Sequence, residues 1–180
     1  LAVWPLATWC FLRAFETRAA SWAVAVGCTT ALAMVGKYYS IFLVASFTFA
    51  ALAHPARRAY FTSASPWISV VVGLAALSPH LHWLATTGAS TFTYALNHAN
   101  GTAASSAADV RNFLLGLLAA MSVSAVSWVL IAGRRLKQFS YDFAAMNPGL
   151  RLLFYVAVGT IALPVLISLA IGTDLPSLLA

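Results

Sequence analysis

The chain of 180 residues is 62% hydrophobic and only 8% charged, and its mean hydropathy is +0.87. Soluble domains carry about 25% charged residues, so this composition excludes a soluble surface and indicates a bilayer as the natural solvent. The net charge of +6 would also suit nucleic acid. The Lys and Arg residues lie in short segments between apolar runs, however, which is the positive-inside pattern of membrane proteins. We therefore expect membrane lipid, and no nucleic acid, as a partner.

Six apolar runs follow one another along the chain, and most approach the length of about 20 residues that a helix needs to cross the hydrocarbon. Because lipid offers no partners to open backbone groups, such runs cross as helices. The sequence predicts an all-α fold, a polytopic transmembrane helical bundle with about five full spans and one partial span. The runs are Leu1–Leu12 (partial), Ser21–Gly36, Tyr38–Ala53, Trp67–Ala85, Asn112–Ala132 and Leu152–Ile171.

The first run is too short to span, and the segment Leu175–Ala180 shows no evident stop. We expect residues 1–180 to be a single transmembrane domain that forms part of a longer membrane domain. Residues 86–110 are polar and small, and they are uncharged until Asp109. This segment is predicted to be an extracytoplasmic loop.

A lysine, Lys37, interrupts the otherwise apolar stretch Ser21–Ala53, where a charge is costly. One continuous helix would be about 50 Å long against a hydrocarbon core of about 30 Å, and it would place Arg18 and Arg57 on opposite sides. Two short helices with a tight turn near Gly36–Lys37 keep both arginines on one side. Lys37 is then at the outer tip of a hairpin, where its ammonium suits an anionic headgroup such as a phosphate, although a lone lysine can also snorkel to water.

The other basic residues support the same topology. If the three loops that carry most of them are cytoplasmic, Lys37 and Arg111 are the exceptions, and the outer ends of the helices share a face with residues 86–110. The residues that would be inside are Arg13, Arg18, Arg57, Arg58, Arg134, Arg135, Lys137 and Arg151.

The segment SPHLHWLATTGASTFTYALNH, Ser78–His98, follows the fourth run. Pro79 is expected to break or kink the helix near its outer end. The two histidines are two residues apart and point to different helix faces, so no metal site is predicted. They could bind a polar headgroup or sugar, and the aromatic residues could stack on a sugar ring, but an interfacial belt has the same composition. The candidate substrate-binding residues are His80, His82, Trp83, Phe92 and Tyr94.

Five stretches occur in a fixed order: WPLATWCFLRAFETRAASWAVAVG, MVGKYYSIFLV, HPARR, SPWISVVVGLAALSPHLHW and STFTYALNH. This ordered set resembles glycosyltransferase family 39 of the GT-C superfamily, which includes the protein mannosyltransferases and the aminoarabinose transferase of lipid A. The lysine–tyrosine turn and the sequence PHLHW carry most of the resemblance, which extends over nearly the whole chain.

The resemblance implies an enzyme that transfers a sugar from a polyprenyl-phosphate donor to a lipid, glycan or protein acceptor on the outer face of the membrane. Neither a cofactor nor a metal at the catalytic centre is implied. Lys37 and Tyr38 would bind the donor phosphate, and His80 would lie near the site. The catalytic residue is unknown, because the family's presumed acid would lie upstream of Leu1, and the chain alone would be inactive. The implied location is a multi-pass protein of a bacterial inner (plasma) membrane, with its site facing the periplasm or exterior.

Two other classes remain open from the residues. A multi-pass transporter or flippase for a polar or amphipathic solute would show broken helices and polar groups near the midplane, whereas here the polar groups gather on one face. A structural or assembly subunit without chemistry is the third class.

Overall fold

The computed structural model describes residues 3–87 and 146–171, together with residues 110–112, 115, 116, 118 and 126. All the regular structure in this part of the chain is helical, as predicted. The main helices are α1 (Val3–Thr17), α2 (Ala20–Gly36), α3 (Ile41–Ala53), α4 (Arg57–Phe61), α5 (Ser65–Thr87) and α6 (Pro148–Ile171).

Helix α1 extends five residues beyond the first apolar run. Pro5 lies in its first turn, where a missing N–H costs no intrahelical bond. Arg18 ends the helix in the left-handed region (φ 55°), and its N–H donates to the carbonyl of Ala14 at 2.9 Å. This closure turns the chain into α2 after two residues.

The predicted break near Gly36–Lys37 is confirmed. Helix α2 ends at Gly36, Lys37 is extended (φ −161°, ψ 118°), and a single 3₁₀ turn, Tyr38–Ser40, precedes α3. Ser40 is fully buried at this turn. Its hydroxyl donates to the carbonyl of Ala33 (2.8 Å) and accepts a hydrogen bond from the indole N–H of Trp4 (2.9 Å). These two bonds hold the turn against α1 and α2.

Helices α2 and α5 pack closely because small residues face each other. The Ser69 hydroxyl donates to the carbonyl of Ala23 (3.0 Å). A Cβ on Gly27 would lie 2.8 Å from both the Ser69 carbonyl oxygen and Val72 Cβ, and 2.9 Å from the backbone nitrogen of Gly73. Small residues let helix backbones approach in this way in membrane proteins.

An aromatic core joins α1 to α3 and α4. Phe11 stacks on Phe47 with ring centroids 4.5 Å apart, and Phe15 lies 4.6 Å from Tyr60. Helix α6 packs on α3 through Gly159, whose Cβ position would be 3.1 Å from Ser46.

These contacts define two ends of this packed unit. At the arginine end, Phe15 contacts His54 (4.9 Å between ring centroids), and the Ser65 hydroxyl is 3.5 Å from the carbonyl oxygen of Ala14. At the lysine end, the Trp4–Ser40 bond joins the start of α1 to the turn that follows Lys37. The described basic residues follow the predicted grouping: the arginine end carries Arg13, Arg18, Arg57, Arg58 and Arg151, with Lys37 at the other end. Arg134, Arg135 and Lys137 lie outside the described residues.

Pro79 was expected to break or kink α5; the break is wrong, because the helix continues through this residue to Thr87. Proline lacks the N–H that the carbonyl of Ala75 would otherwise accept from. The Ser78 hydroxyl donates to that carbonyl at 2.8 Å and replaces the missing bond. Side chains of this type are known to satisfy freed backbone groups next to prolines in membrane helices.

In the part of the chain that the structure describes, two helical segments are long and apolar enough to cross a membrane, Ser65–Thr86 and Pro148–Ile167. The helices in Ala20–Gly36 and Tyr38–Ala53 are apolar but shorter. Large apolar side chains on α5 are exposed, including Trp67 (63%). Apolar length and outward apolar side chains together are typical of a membrane protein. Most of the predicted loop 86–110 and of the run Asn112–Ala132 lies outside the described residues.

Candidate substrate site at the lysine end

The Lys37 side chain is exposed at the turn between α2 and α3. Its ammonium lies 5.7 Å from the ring centroid of Tyr39, within the range of a cation–π interaction. The Tyr39 hydroxyl is buried and finds no hydrogen-bond partner within the described part of the chain. A charged donor and an unsatisfied hydroxyl therefore lie on the same short turn, and a polar ligand could use both.

Tyr38 and His80 meet although they are 42 residues apart in sequence. The Tyr38 hydroxyl and His80 Nε2 are 3.0 Å apart, and the two ring centroids are 5.7 Å apart. His80 also stacks on Trp83, with centroids 5.7 Å apart and ring planes inclined by 24°. The pair joins the turn that carries Lys37 to the C-terminal half of α5.

An apolar groove lies between α3 on one side and α2 and α5 on the other, with a volume of about 370 Å³. Met34, Ile41 and Leu77 line it at the lysine end, and Phe61 and Trp67 line it at the arginine end. The groove therefore extends along the helices from one end to the other. Its volume is within the range of small-molecule sites in proteins.

The few hydroxyl groups along the groove are already satisfied by helix carbonyls. Thr30 donates to Val26 at 2.7 Å, and Thr48 to Val44 at 3.3 Å. The Ser69 hydroxyl is bonded to α2, as described above. Because these groups need no further partner, the groove favours an apolar occupant over water.

The predicted site residues are placed as follows. Tyr38 contacts His80 at the lysine end, directly after Lys37, and Trp83 stacks on His80, whereas His82 is exposed on α5. Phe92 and Tyr94 lie outside the described residues. Within residues 3–87 and 146–171, no three His, Cys, Asp or Glu side chains come close enough to hold a metal ion.

Sequence reasoning missed His54, which ends α3 and is only 5% exposed. Its Nδ1 accepts a hydrogen bond from the N–H of Ala56 at 3.1 Å. Burial lowers the pKa of His54, a hydrogen bond to the Pro148 carbonyl raises it, and the charge of Arg151 lowers it further. The net effect favours the neutral ring, which connects α3 to the start of α6 at the arginine end. The signal in the sequence was the His in HPARR, directly before a proline.

Tyr60 is a second buried titratable group at the arginine end. Burial raises its pKa to about 12, against the opposing effect of a hydrogen bond with Ser65. The phenol therefore stays protonated at physiological pH. Both groups are structural, and the features suited to substrate binding lie at the opposite end.

Comparison with known proteins agrees with the class that this geometry indicates, an all-helical membrane protein with a basic site at one end of an apolar groove. Residues 1–83 match the family model described as dolichyl-phosphate-mannose-protein mannosyltransferase. The match covers less than half of the chain, and over this segment the chain is similar to the protein mannosyltransferases of the GT-C glycosyltransferase superfamily. The matched segment includes Lys37, Tyr38 and His80. No curated protein and no solved structure shows significant similarity to the chain.

Over residues 1–83 the match agrees with the resemblance that the sequence motifs indicated. Nothing in the comparisons favours a transporter or flippase.

Proposed function

We propose that this chain belongs to a glycosyltransferase that uses a polyprenyl-phosphate-linked sugar as donor. The acceptor would be a lipid, glycan or protein on the outer face of the membrane. The observation that carries the proposal is the position of Lys37 in the turn between Met34 and Ile41, which both line one end of an apolar groove.

A polyprenyl-phosphate donor has two chemically different parts, a long apolar chain and an anionic phosphate that bears the sugar. The groove offers apolar side chains along its length, and the Lys37 ammonium offers a charge at the end where Met34 and Ile41 line it. A charged donor binds a phosphate more strongly than a neutral one does. The pairing of groove and lysine thus fits a lipid with an anionic head.

The orientation follows from charge. Cytoplasmic segments of membrane proteins are enriched in Lys and Arg, so the arginine end would face the cytoplasm. The lysine end would then face the periplasm or exterior of a bacterial inner membrane. A lipid-linked sugar would be presented to acceptors on that side.

In this proposal the described residues bind the donor, and the acid–base chemistry comes from elsewhere in the protein. The carboxylate side chain among the described residues is that of Glu16, which lies at the arginine end, 3.5 Å from the Arg13 guanidinium. We assign the catalytic acid to a part of the protein outside these residues. His80 is proposed to lie near the sugar, and neither a cofactor nor a metal at the catalytic centre is part of the proposal.

The experiment is a transfer assay in membranes that contain the full-length protein and a polyprenyl-phosphate-linked sugar. Lys37→Ala should lower transfer at subsaturating donor about 10- to 100-fold, the range expected for a lost charged hydrogen bond. The matched control is Lys137→Ala, which removes the other lysine of the chain and should leave transfer unchanged. Unaltered transfer by Lys37→Ala, at equal protein level, would refute the proposal.

A further inference from the structure

The two helices that face each other across the groove are connected at both ends. At the arginine end α4 joins α3 to α5 through the chain itself. At the lysine end the connection is the hydrogen bond between Tyr38 and His80. One connection is covalent and permanent, and the other can open.

The Tyr38–His80 bond joins the turn before α3 to α5 just beyond the residues that line the lysine end of the groove. Tyr38 lies in the sequence between Met34 and Ile41, which both line the groove, and His80 lies one helical turn after Leu77, which lines it from α5. Tyr38 also directly follows Lys37. The bond therefore determines how far the lysine-bearing turn is from α5.

The segment of α5 that carries His80 is held less firmly by its backbone than an ordinary helix. Pro79 donates no hydrogen bond, and the carbonyl of Ala75 is satisfied by the Ser78 side chain instead. Prolines are the commonest cause of sharp helix bends. Small movements of the last turns of α5, which carry His80, therefore cost less free energy than the same movements in a helix without proline.

We propose that Tyr38 and His80 form a clasp, which sets the width of the groove at the lysine end and positions Lys37 over it. An apolar chain with an anionic head enters the groove from the bilayer while the clasp is open, and the closed clasp holds Lys37 at the head. Both residues are positioning residues, bonded to each other rather than to the sugar. The identity of the occupant as a polyprenyl phosphate rests on the proposed function, whereas the clasp itself does not.

The test measures access to the groove without any donor. In the full-length protein in lipid nanodiscs, Cys10 and Cys28 are replaced by Ala, and L77C introduces one thiol at the clasp end of the groove. Its rate of reaction with a bilayer-soluble maleimide is compared between proteins with the intact pair, with Tyr38→Phe and with His80→Ala. Loss of one hydrogen bond should raise the rate about two- to tenfold in both variants, and His80→Gln, which can still bond the phenol, should restore it in part.

Equal labelling rates for the intact pair and Tyr38→Phe would overturn the clasp. The phenylalanine keeps the ring and its packing, so this variant separates the bond from general misfolding. The control is a protein in which Cys28, exposed on α2, is the single thiol. Cys28 should react at the same rate whether or not the Tyr38–His80 bond is present. A faster labelling rate at Cys28 as well would mean that the variant is unfolded. The His80→Gln variant then decides the matter, because labelling of His80→Gln that is no slower than labelling of His80→Ala would overturn the clasp.

A second arm distinguishes the clasp from the proposed function. Undecaprenyl phosphate is added before labelling, and protection of the introduced thiol tests whether this lipid occupies the groove. Protection with equal labelling rates would support the function and refute the clasp. Faster labelling of the variants without protection would support the clasp and count against the donor.

Discussion

Replacement of Gly27 by alanine tests the packing that positions α5 beside α2. The added Cβ would lie 2.8 Å from the Ser69 carbonyl oxygen and from Val72 Cβ, and 2.9 Å from the nitrogen of Gly73. Ordinary carbon contacts are about 3.5 to 4.0 Å. Two of the three atoms belong to the backbone, so rotation of a side chain cannot relieve the overlap and the two helices must separate.

The expected cost follows from this geometry. Overpacking by a methyl group costs about 1 to 3 kcal/mol where the surroundings cannot relax. Separation of the helices would also lengthen the 3.0 Å bond between Ser69 and the Ala23 carbonyl. For a chain of this size, 1 kcal/mol corresponds to about 2 to 4 °C in the melting temperature. Gly27→Ala should therefore lower the apparent melting temperature by several degrees.

Two other glycines provide graded controls. A Cβ on Gly73 would have its nearest contact at 3.6 Å, which is ordinary packing, and a Cβ on Gly36 would meet nothing within 4 Å. Gly73→Ala and Gly36→Ala should thus be tolerated, and alanine favours a helix by up to about 1 kcal/mol over glycine. The assay is the apparent melting temperature of the purified full-length protein in one detergent, followed by tryptophan fluorescence. Equal melting temperatures for Gly27→Ala and Gly73→Ala would refute the described packing of α2 on α5.

Two further predictions concern the two ends of the molecule. Burial lowers the pKa of His54 in the folded protein below 6.5, so the unfolded chain binds more protons than the folded protein as the pH falls. The stability that His54 contributes is therefore present above pH 6.5 and is lost as the pH falls below it. His54→Gln should reduce the fall in melting temperature between about pH 7.5 and about pH 5.5, and an unchanged pH dependence would contradict the burial. At the lysine end, Ser40→Ala leaves the indole N–H of Trp4 without its acceptor, at a cost of about 1 to 3 kcal/mol. The melting temperature should fall well below that of the control Thr48→Ala, which removes an exposed hydroxyl, and equal values would contradict the role of Ser40.

The break in the stretch Ser21–Ala53 could be predicted because length and charge alone decide it. A continuous helix is too long for the bilayer and separates Arg18 from Arg57, and the structure has the break at Gly36. The same reasoning grouped the arginines at one end. These features depend on residue counts along the chain, which the sequence supplies directly.

Features that depend on how helices face one another could not be predicted. The apolar helices show no polar face that would mark the contact of Gly27 with α5, and the bond between Tyr38 and His80 joins residues 42 positions apart. At Pro79 the Ser78 hydroxyl bonds the carbonyl of Ala75 that the proline leaves free, and the orientation of this hydroxyl is a matter of local geometry. The positions of Phe92 and Tyr94 remain predictions.

The measurement that tests the central claim most directly compares the binding of two lipids to the full-length protein. Undecaprenyl phosphate and undecaprenol share the same apolar chain, and only the first carries the anion that Lys37 is proposed to bind. By native mass spectrometry, Lys37→Ala should weaken binding of the phosphate about tenfold or more and leave binding of the alcohol unchanged. Equal binding of the phosphate by the Lys37→Ala variant and the unmodified protein would contradict the account.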